Sequence, residues 1–398
     1  MMKKVFSLLF IFPTCVFAQY VGTGSVSQGL ATTVVSDIFP GCAGARISGV
    51  GTITSTDSKV WTVPAVTQFT TGPHLPDLFN QCSGVTPANI AAVNLAAVPT
   101  TVIDPTGTVI TAYIFGDNYF ELYINGVLVG VDPVPYTPFN SCVVKFKVSY
   151  PYTVAVKLVD WEENLGVGTE LNGGNPYHSG DGGFIASFSD GTVTDASWKA
   201  QTFYIAPVQD LSTIVELADS TRSSATALTN TTCNGSCYAI HYQLPSAWNT
   251  VGFNDSGWPN ATLFTPATVG VSGIQAYTNF PTVWTTGQFI WSTNLILDNE
   301  VTVRKTVTGP AGINKNESGK SGIQLYPNPA KGQFSLHFDD NLLVSDIKKI
   351  IIFNELGEMV FETNKYTDTF STATFPSGIY SVRITIGNDQ VVKKLIIQ

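Results

Sequence analysis

Residues 117–130 read DNYFELYINGVLVG. Phe120, Leu122 and Ile124 alternate with Tyr119, Glu121 and Tyr123, the period-two pattern of a strand with one apolar face. Asn125-Gly126 then supplies the positive φ angles of a tight type I′ turn, so the segment predicts a β-hairpin. The same alternation continues downstream. Val144, Phe146 and Val148 alternate with Lys145 and Lys147, and Val154, Val156 and Leu158 mark a further strand that ends in the acidic run DWEEN, 160–164. Strands of this length, spaced by Gly and Pro turns, predict an all-β chain with a β-sandwich or jelly-roll body over residues 101–308.

Composition agrees. Charged residues make up 12% of the 398, against about 25% in an ordinary soluble domain. Gly, Thr, Ser, Asn and aromatics take their place, a mixture suited to strands and turns and unsuited to helical bundles. The net charge of −9 argues against nucleic acid or an anionic membrane as partner, because neutralising phosphates needs clustered Lys and Arg. No run after the N-terminus approaches the roughly twenty apolar residues of a membrane-spanning helix.

The N-terminus reads as a secretory signal peptide over residues 1–18. Lys3 and Lys4 form the positive region, Val5 to Phe12 the apolar region, and Val16-Phe17-Ala18 a cleavage site before Gln19. Its removal leaves Cys42, Cys82, Cys142, Cys233 and Cys237. The odd number implies at least one free or intermolecular thiol. Cys42 with Cys82 and Cys233 with Cys237 are candidate pairs, although spacing does not settle connectivity.

Residues 19–100 form a Gly-, Thr-, Val- and Ala-rich β region with one expected helix. It lies in SGVTPANIAAVNLAAVP, capped by Thr86, with Pro87 in its first turn, Ile90, Val93 and Ala97 on one face, and Pro99 as its stop. Residues 309–322 shift to Gly, Asn, Ser and Lys and read as a linker. Residues 323–398 again alternate, in IKKIIIFNELGEMVFET and GIYSVRITIGNDQVVKKLIIQ, and are long enough to fold alone as a small β-sandwich.

Acidic, carbonyl-rich loops recur at Asp117, Asp160, Glu162, Asp181 and Asp190. Calcium takes six to eight oxygen ligands from such loops, so Asp160, Glu162, Asp181 and Asp190 are candidate ligands of a structural calcium, beside the plainer reading of Asp-Gly turns. Asp160 and Glu162, if their strand persists, share a face about 7 Å apart, a spacing that suits a carboxylate pair for glycoside cleavage. A solvated strand end is the plainer reading. Cys233, Cys237 and His241 are spaced four apart, but Asn234-Gly235 is a turn pair and YAIHYQL alternates as a strand, which argues against a helical zinc site. G-x-S-x-G, H-E-x-x-H and phosphate-loop motifs are absent, and His74, His178 and His241 have no nucleophile at motif spacing. The seven tryptophans are expected mostly in the core, with exposed ones able to stack on sugar rings.

The tail resembles the type A C-terminal sorting domain of the type IX secretion system of Bacteroidetes. The matching residues are Leu325-Tyr326-Pro327-Asn328-Pro329-Ala330 with Gly332 and Phe334, then Ile352-Phe353-Asn354 with Leu356-Gly357 and Val360. Phe375-Pro376-Ser377-Gly378-Ile379-Tyr380 with Val382, and the closing Lys393-Lys394-Leu395-Ile396-Ile397, complete the set. The resemblance implies passage across the inner membrane by the signal peptide and across the outer membrane by the secretion machinery. It also implies removal of the tail at the linker, then release or surface attachment.

In the body, DNYFELYINGV, Asp181-Gly182-Gly183, TDASWK (194–199), GFNDSGWPNA (252–261) and FIW (289–291) follow an order similar to galactose-binding-like jelly-roll modules. That resemblance implies a glycan- or surface-binding protein without assigning any sugar-contacting residue. A secreted hydrolase using Asp160, Glu162 or Asp181, and a structural or adhesive surface protein, are the alternatives.

Overall fold

The hairpin forms as its alternation requires. Tyr119–Ile124 pairs antiparallel with Val127–Val131, and Asn125 and Gly126 turn the chain at φ of 51° and 83°. The structure, a computed structural model, describes residues 20–229, 233–309, 323–338, 347–354, 358–386 and 389–398. The expected signal peptide and the linker beyond Gly309 lie outside the described residues. The chain divides into two units, one ending at Gly309 and one covering the tail.

The first unit is built on two sheets. One runs Ser25–Gln28, Tyr238–His241, Lys199–Val208, Asp298–Val307, Tyr152–Val159, Tyr119–Ile124, Val127–Val131, with antiparallel neighbours throughout. The other runs Thr262–Phe264, Phe289–Trp291, Gly183–Phe188, Thr108–Asp117, Ser141–Val148, Asp77–Phe79, and Thr100–Val102 lies parallel to Ser141–Val148. Cross-strand register places Phe120 opposite Leu158, Leu122 opposite Val156, and Ile124 opposite Val154. These side chains meet Ile110, Ala112, Ile114, Val144, Phe146, Val148, Phe184 and Phe188 of the second sheet in one core. An all-β sandwich is therefore the architecture of the body.

Residues 20–100, expected as a region ahead of the sandwich, supply strands to both of its sheets. They also form a third layer, the three-stranded sheet Thr32–Val35, Val50–Thr54, Val60–Val63. Its Ile53 and Val63 pack on Leu165, Tyr204, Ala206 and Ala239, and Ala65 and Phe69 pack on Tyr119, Val131, Val159 and Trp161. The outer face of the first sheet is thus covered, not solvated.

The helix expected between Thr86 and Pro99 is replaced by two single-turn 3₁₀ segments, Ile90–Ala92 and Leu95–Ala97. Asn89, not Thr86, supplies the cap, its side chain accepting from Ala91 N at 3.0 Å. Val93 between the turns is extended, at φ −87° and ψ 125°. Asn89 bonds the local backbone at the first turn, and the extended Val93 breaks a continuous helix before the second. Cys42–Cys82 and Cys233–Cys237 are disulfides, each with Cα atoms 5.2 Å apart, and Cys142 is free and buried.

The tail holds a three-stranded sheet, Ile323–Tyr326, Gln333–Phe338, Phe370–Ser371, and a four-stranded one, Met359–Thr363, Ile347–Phe353, Gly378–Ile386, Asp389–Ile397. Ile323, Leu325, Phe334, Leu336, Ile350, Ile352, Val382, Ile384 and Leu395 form its own core.

Phe146 is fully buried between the body sheets and meets Tyr152 and Phe188 edge-on. Phe146→Ala is expected to destabilise the body by about 3–5 kcal/mol, measured by denaturant unfolding, with the tail's transition unchanged.

Candidate functional site

The covered outer face opens into a cleft of about 400 Å³, within the usual range for small-ligand sites. Its floor comes from the outward positions of the first sheet: Glu121, Tyr123, Lys157, Tyr204, His241 and Glu300. Trp61, Pro64, Val66 and Gln68 form one wall, and Leu244, Pro245, Ser246 and Trp248 the other. Glu121 stands opposite Lys157 in the register, and Glu300 stands opposite Tyr204. Lys157 Nζ lies 3.1 Å from Glu300 Oε1 and also donates to the Val66 carbonyl. Glu121 accepts from Gln68 N at 2.5 Å, Tyr119 OH at 3.2 Å and Tyr123 OH at 2.7 Å. Every charge on the floor is therefore held by a partner, as burial demands.

Three rings stack at one side of the cleft. Trp61 lies on His241 at 5.3 Å and 13° between planes, and His241 lies on Tyr204 at 4.9 Å and 12°. His241 shares a 2.8 Å hydrogen bond with Ser27 Oγ. Burial lowers its pKa from the ordinary 6.5 to about 3, so the imidazole is neutral near pH 7. Six of the seven tryptophans are buried and Trp61 is half-buried, which singles it out among them. Arg304, itself buried, donates to the Trp248 carbonyl, to Thr250 O at 3.2 Å and to Asp255 Oδ2 at 2.8 Å. That fixes the loop carrying the second wall.

Sequence pattern marked the outward positions of 119–124 without showing that they were roofed. The available signal was Lys157, a lone charge inside the apolar run YTVAVKLV. A charge there needs a buried partner on the covered side.

The candidate metal residues separate into different roles. The strand ends at Val159, so Asp160 and Glu162 do not share a strand face, and both are buried where a solvated strand end was the plainer expectation. Glu162 accepts from Gly166 N at 3.0 Å, from Gly168 N and from Tyr204 OH at 3.0 Å, and so closes its own loop. Burial pushes its pKa up to about 7, with those donors opposing the rise. Asp190 accepts from Tyr152 OH at 2.7 Å, Tyr150 OH at 3.1 Å and Thr192 N at 3.0 Å, which locks an Asp-Gly turn.

Asp160 instead falls into the field of Glu170, Asp117 and Asp181. Its pKa is raised well above the ordinary carboxylate range by burial first and by those carboxylates next. Burial and Glu170 together push Asp181 up to about 6. Glu170 was not expected here. It pairs with Arg46 at 2.8 Å, and Arg46 also holds Glu163. Among the described residues no three His, Cys, Asp or Glu side chains already stand in a metal-holding arrangement.

In the tail, the motif residues act on the fold. Asn328 Nδ2 donates to Lys394 O at 2.6 Å and Asn328 Oδ1 accepts from Ile396 N at 2.9 Å. Ala330 N adds a bond to Ile396 O at 2.7 Å. Leu325 is buried between these contacts, whereas Tyr326 is 74% exposed. Pro327 and Pro329 flank the clamp without offering competing N–H donors, and Gly332 turns the chain at φ 83°. Gly378 opens the strand that pairs with the last one, where Lys393 faces Val382 and Lys394 faces Ser381. Tyr380 OH donates to Pro376 O at 2.7 Å and its ring stacks on Phe375. Gly357 lies outside the described residues.

Residues 324–398 match the family model of the secretion system C-terminal sorting domain. This tail is a type IX secretion sorting domain. The sorting domain places the chain on the type IX route, to the cell surface or outside, and makes the secretion machinery its partner.

No curated protein matches the chain. Several solved structures match, and three of them are as follows. The chain is 9% identical to Faecalibacterium prausnitzii beta-glucuronidase, over 97% of this chain and 47% of that one, at a TM-score of 0.16. It is 12% identical to dimeric latent PorU from Porphyromonas gingivalis, over 73% and 30%, at 0.15. It is 13% identical to the lectin from Pleurotus ostreatus in complex with GalNAc, over 94% and 86%, at 0.14. The chain thus spans less than half the length of the first two, and similarity this low carries no argument about fold or activity. Among the described residues no helix is long and apolar enough to cross a membrane.

Two outcomes are expected. Without residues 323–398 the protein accumulates in the periplasm on cell fractionation; delivery of the truncated chain to the surface or medium would contradict the sorting role. For His241, the folded pKa of about 3 lies below the ordinary 6.5. Its contribution to stability is thus present above pH 6.5 and lost as the pH falls toward 3, because the unfolded chain takes up the proton first. Wild type should therefore lose stability relative to His241→Gln between about pH 7.5 and 4.5 in denaturant titrations. Parallel pH profiles would show that the imidazole is not held neutral.

Proposed function

We propose that the exported protein binds a short, uncharged glycan segment in the cleft on the outer face of the first sheet. The observation that carries this reading is the half-buried Trp61 ring, backed by His241 and Tyr204, beside a floor of polar groups. Sugars present apolar C–H faces edged by hydroxyls. They are matched by an aromatic wall next to convergent hydrogen-bonding side chains such as Gln68, Gln243 and Ser246. Lys157 is already satisfied by Glu300 and Val66 O, so no free cation favours an acidic sugar. The rigid backing of Trp61 limits the entropy lost on binding.

The hydrolase reading has less support at this cleft. Glu121 already accepts from three donors and Glu300 is paired with Lys157, so both carboxylates are engaged by the fold itself.

The mature protein is expected to bind neutral glycans on an array. Trp61→Ala should weaken that binding about ten- to a hundredfold, the scale of roughly 1.5–3 kcal/mol from one large apolar contact. Binding that survives Trp61→Ala intact, or no binding to any neutral glycan, would sink the assignment.

A further inference from the structure

The indole N–H groups divide the tryptophans into two sets. Those of Trp61, Trp161, Trp198, Trp284 and Trp291 donate to protein oxygens at 2.8–3.1 Å. Those of Trp248 and Trp258 have no acceptor among the described residues, although the two residues are only 6% and 8% exposed. Neither N–H is sealed from solvent. A buried indole normally finds a partner for its N–H, so two unmatched donors at the surface point to acceptors supplied from outside. Trp248 lines the cleft. Trp258 lines a second pocket of about 260 Å³, a little below the usual volume of a small-ligand site that stands alone. Phe203 and Pro245 line both pockets and form their common boundary.

We propose that this second pocket is a further subsite for the same glycan chain, so that the protein reads a linear, neutral oligosaccharide longer than the cleft alone would hold. The inference rests on the glycan reading of the cleft. Trp258 is fixed in place. Its ring meets Phe203 and Phe253 at 5.8 and 5.3 Å, its N donates to Asp255 O at 2.9 Å, and its O accepts from Lys199 Nζ at 3.0 Å. The indole N–H is therefore a positioned donor for a sugar oxygen, at little entropic cost on binding. Asn254 adds a second donor, because its Oδ1 accepts from Ser256 N at 3.1 Å and its Nδ2 is left for a ligand. Arg222 and Asp219 line the pocket with opposite charges. The Arg222 guanidinium also lies over the Tyr242 ring and donates to Thr202 O. The second pocket thus carries no net charge and matches an uncharged ligand, as the cleft does. A chain bridging the two pockets crosses the half-buried Pro245, which has no backbone N–H to strand beneath it.

The test titrates the mature protein by calorimetry with cello-, malto-, xylo- and manno-oligosaccharide ladders of two to six units. In the ladder that binds, affinity should climb about tenfold or more with length and then level off, as the second pocket fills. Trp258→Phe keeps a ring and removes the N–H. It should weaken the longer oligosaccharides about three- to tenfold and spare the shortest, whereas Trp61→Ala weakens every length. Asn254→Ala, at an exposed loop position, should show the same length-selective loss and keeps the test open if Trp258→Phe does not fold. Affinity independent of length overturns the subsite and leaves the cleft standing. So does a loss in these two variants that is absent, or equal at every length. Wild type that binds no ladder overturns both readings.

Discussion

The organisation of the body follows from one constraint: the first sheet carries charges on the face that its sandwich core does not use. Phe120, Leu122, Ile124, Val154, Val156 and Leu158 commit one face to the core. The alternate positions then present Glu121, Lys157, Glu300 and Arg304 on the other. Had that face been solvated, these groups would need no fixed partners. Instead residues 20–69 roof it, and each charge is met by a specific group: Glu121 by Gln68 N, Lys157 by Val66 O, Arg304 by the 248–255 loop. The roof is therefore keyed to the sheet by buried polar contacts. Removing one partner would strand a desolvated charge, which costs more than the contact itself contributes.

The same constraint decides where the cleft lies. A roof anchored at separate points by polar contacts leaves space between them, and the cleft lies between the 60–68 segment and the 244–248 segment. Its charged groups are already paired and its rings are already stacked. That arrangement accords with the binding role proposed for the cleft. The buried carboxylates at the end of the 152–159 strand obey the opposite logic. There the carboxylates stand close together, and burial with their mutual repulsion raises the pKa of Asp160 and Asp181.

How much of this was legible beforehand depends on the range of the interactions. Period-two alternation is local, so 119–124, 144–148 and 154–158 declared themselves as strands, and Asn125-Gly126 declared its turn. The Asn328 clamp is also a motif-level feature, readable in order and spacing. The 86–99 segment has helical spacing but forms two short turns, because Asn89 caps the first and Val93 leaves it extended. Glu170 and Trp61 were illegible for a different reason. Glu170 joins Asp160 only because the hairpin at 169–179 folds back over Gly180, and Trp61 meets His241 across 180 residues of chain. No local pattern encodes either meeting. Acidic loops at Asp160, Glu162, Asp181 and Asp190 looked equivalent in sequence, yet burial and partner count divide them.

The sorting domain forms a compact unit of its own. Its core is made of its own residues, from Ile323 to Ile397, and its opening motif is spent on closing that core through Asn328 and Ala330. The residues of the cleft and of the buried acidic cluster lie between Arg46 and Glu300. The body, in turn, carries its own staples, Cys42–Cys82 and Cys233–Cys237. These close loops in the unfolded chain and raise its cost of opening, a property useful to a protein that works outside the cell with no reducing pool or chaperone to restore it.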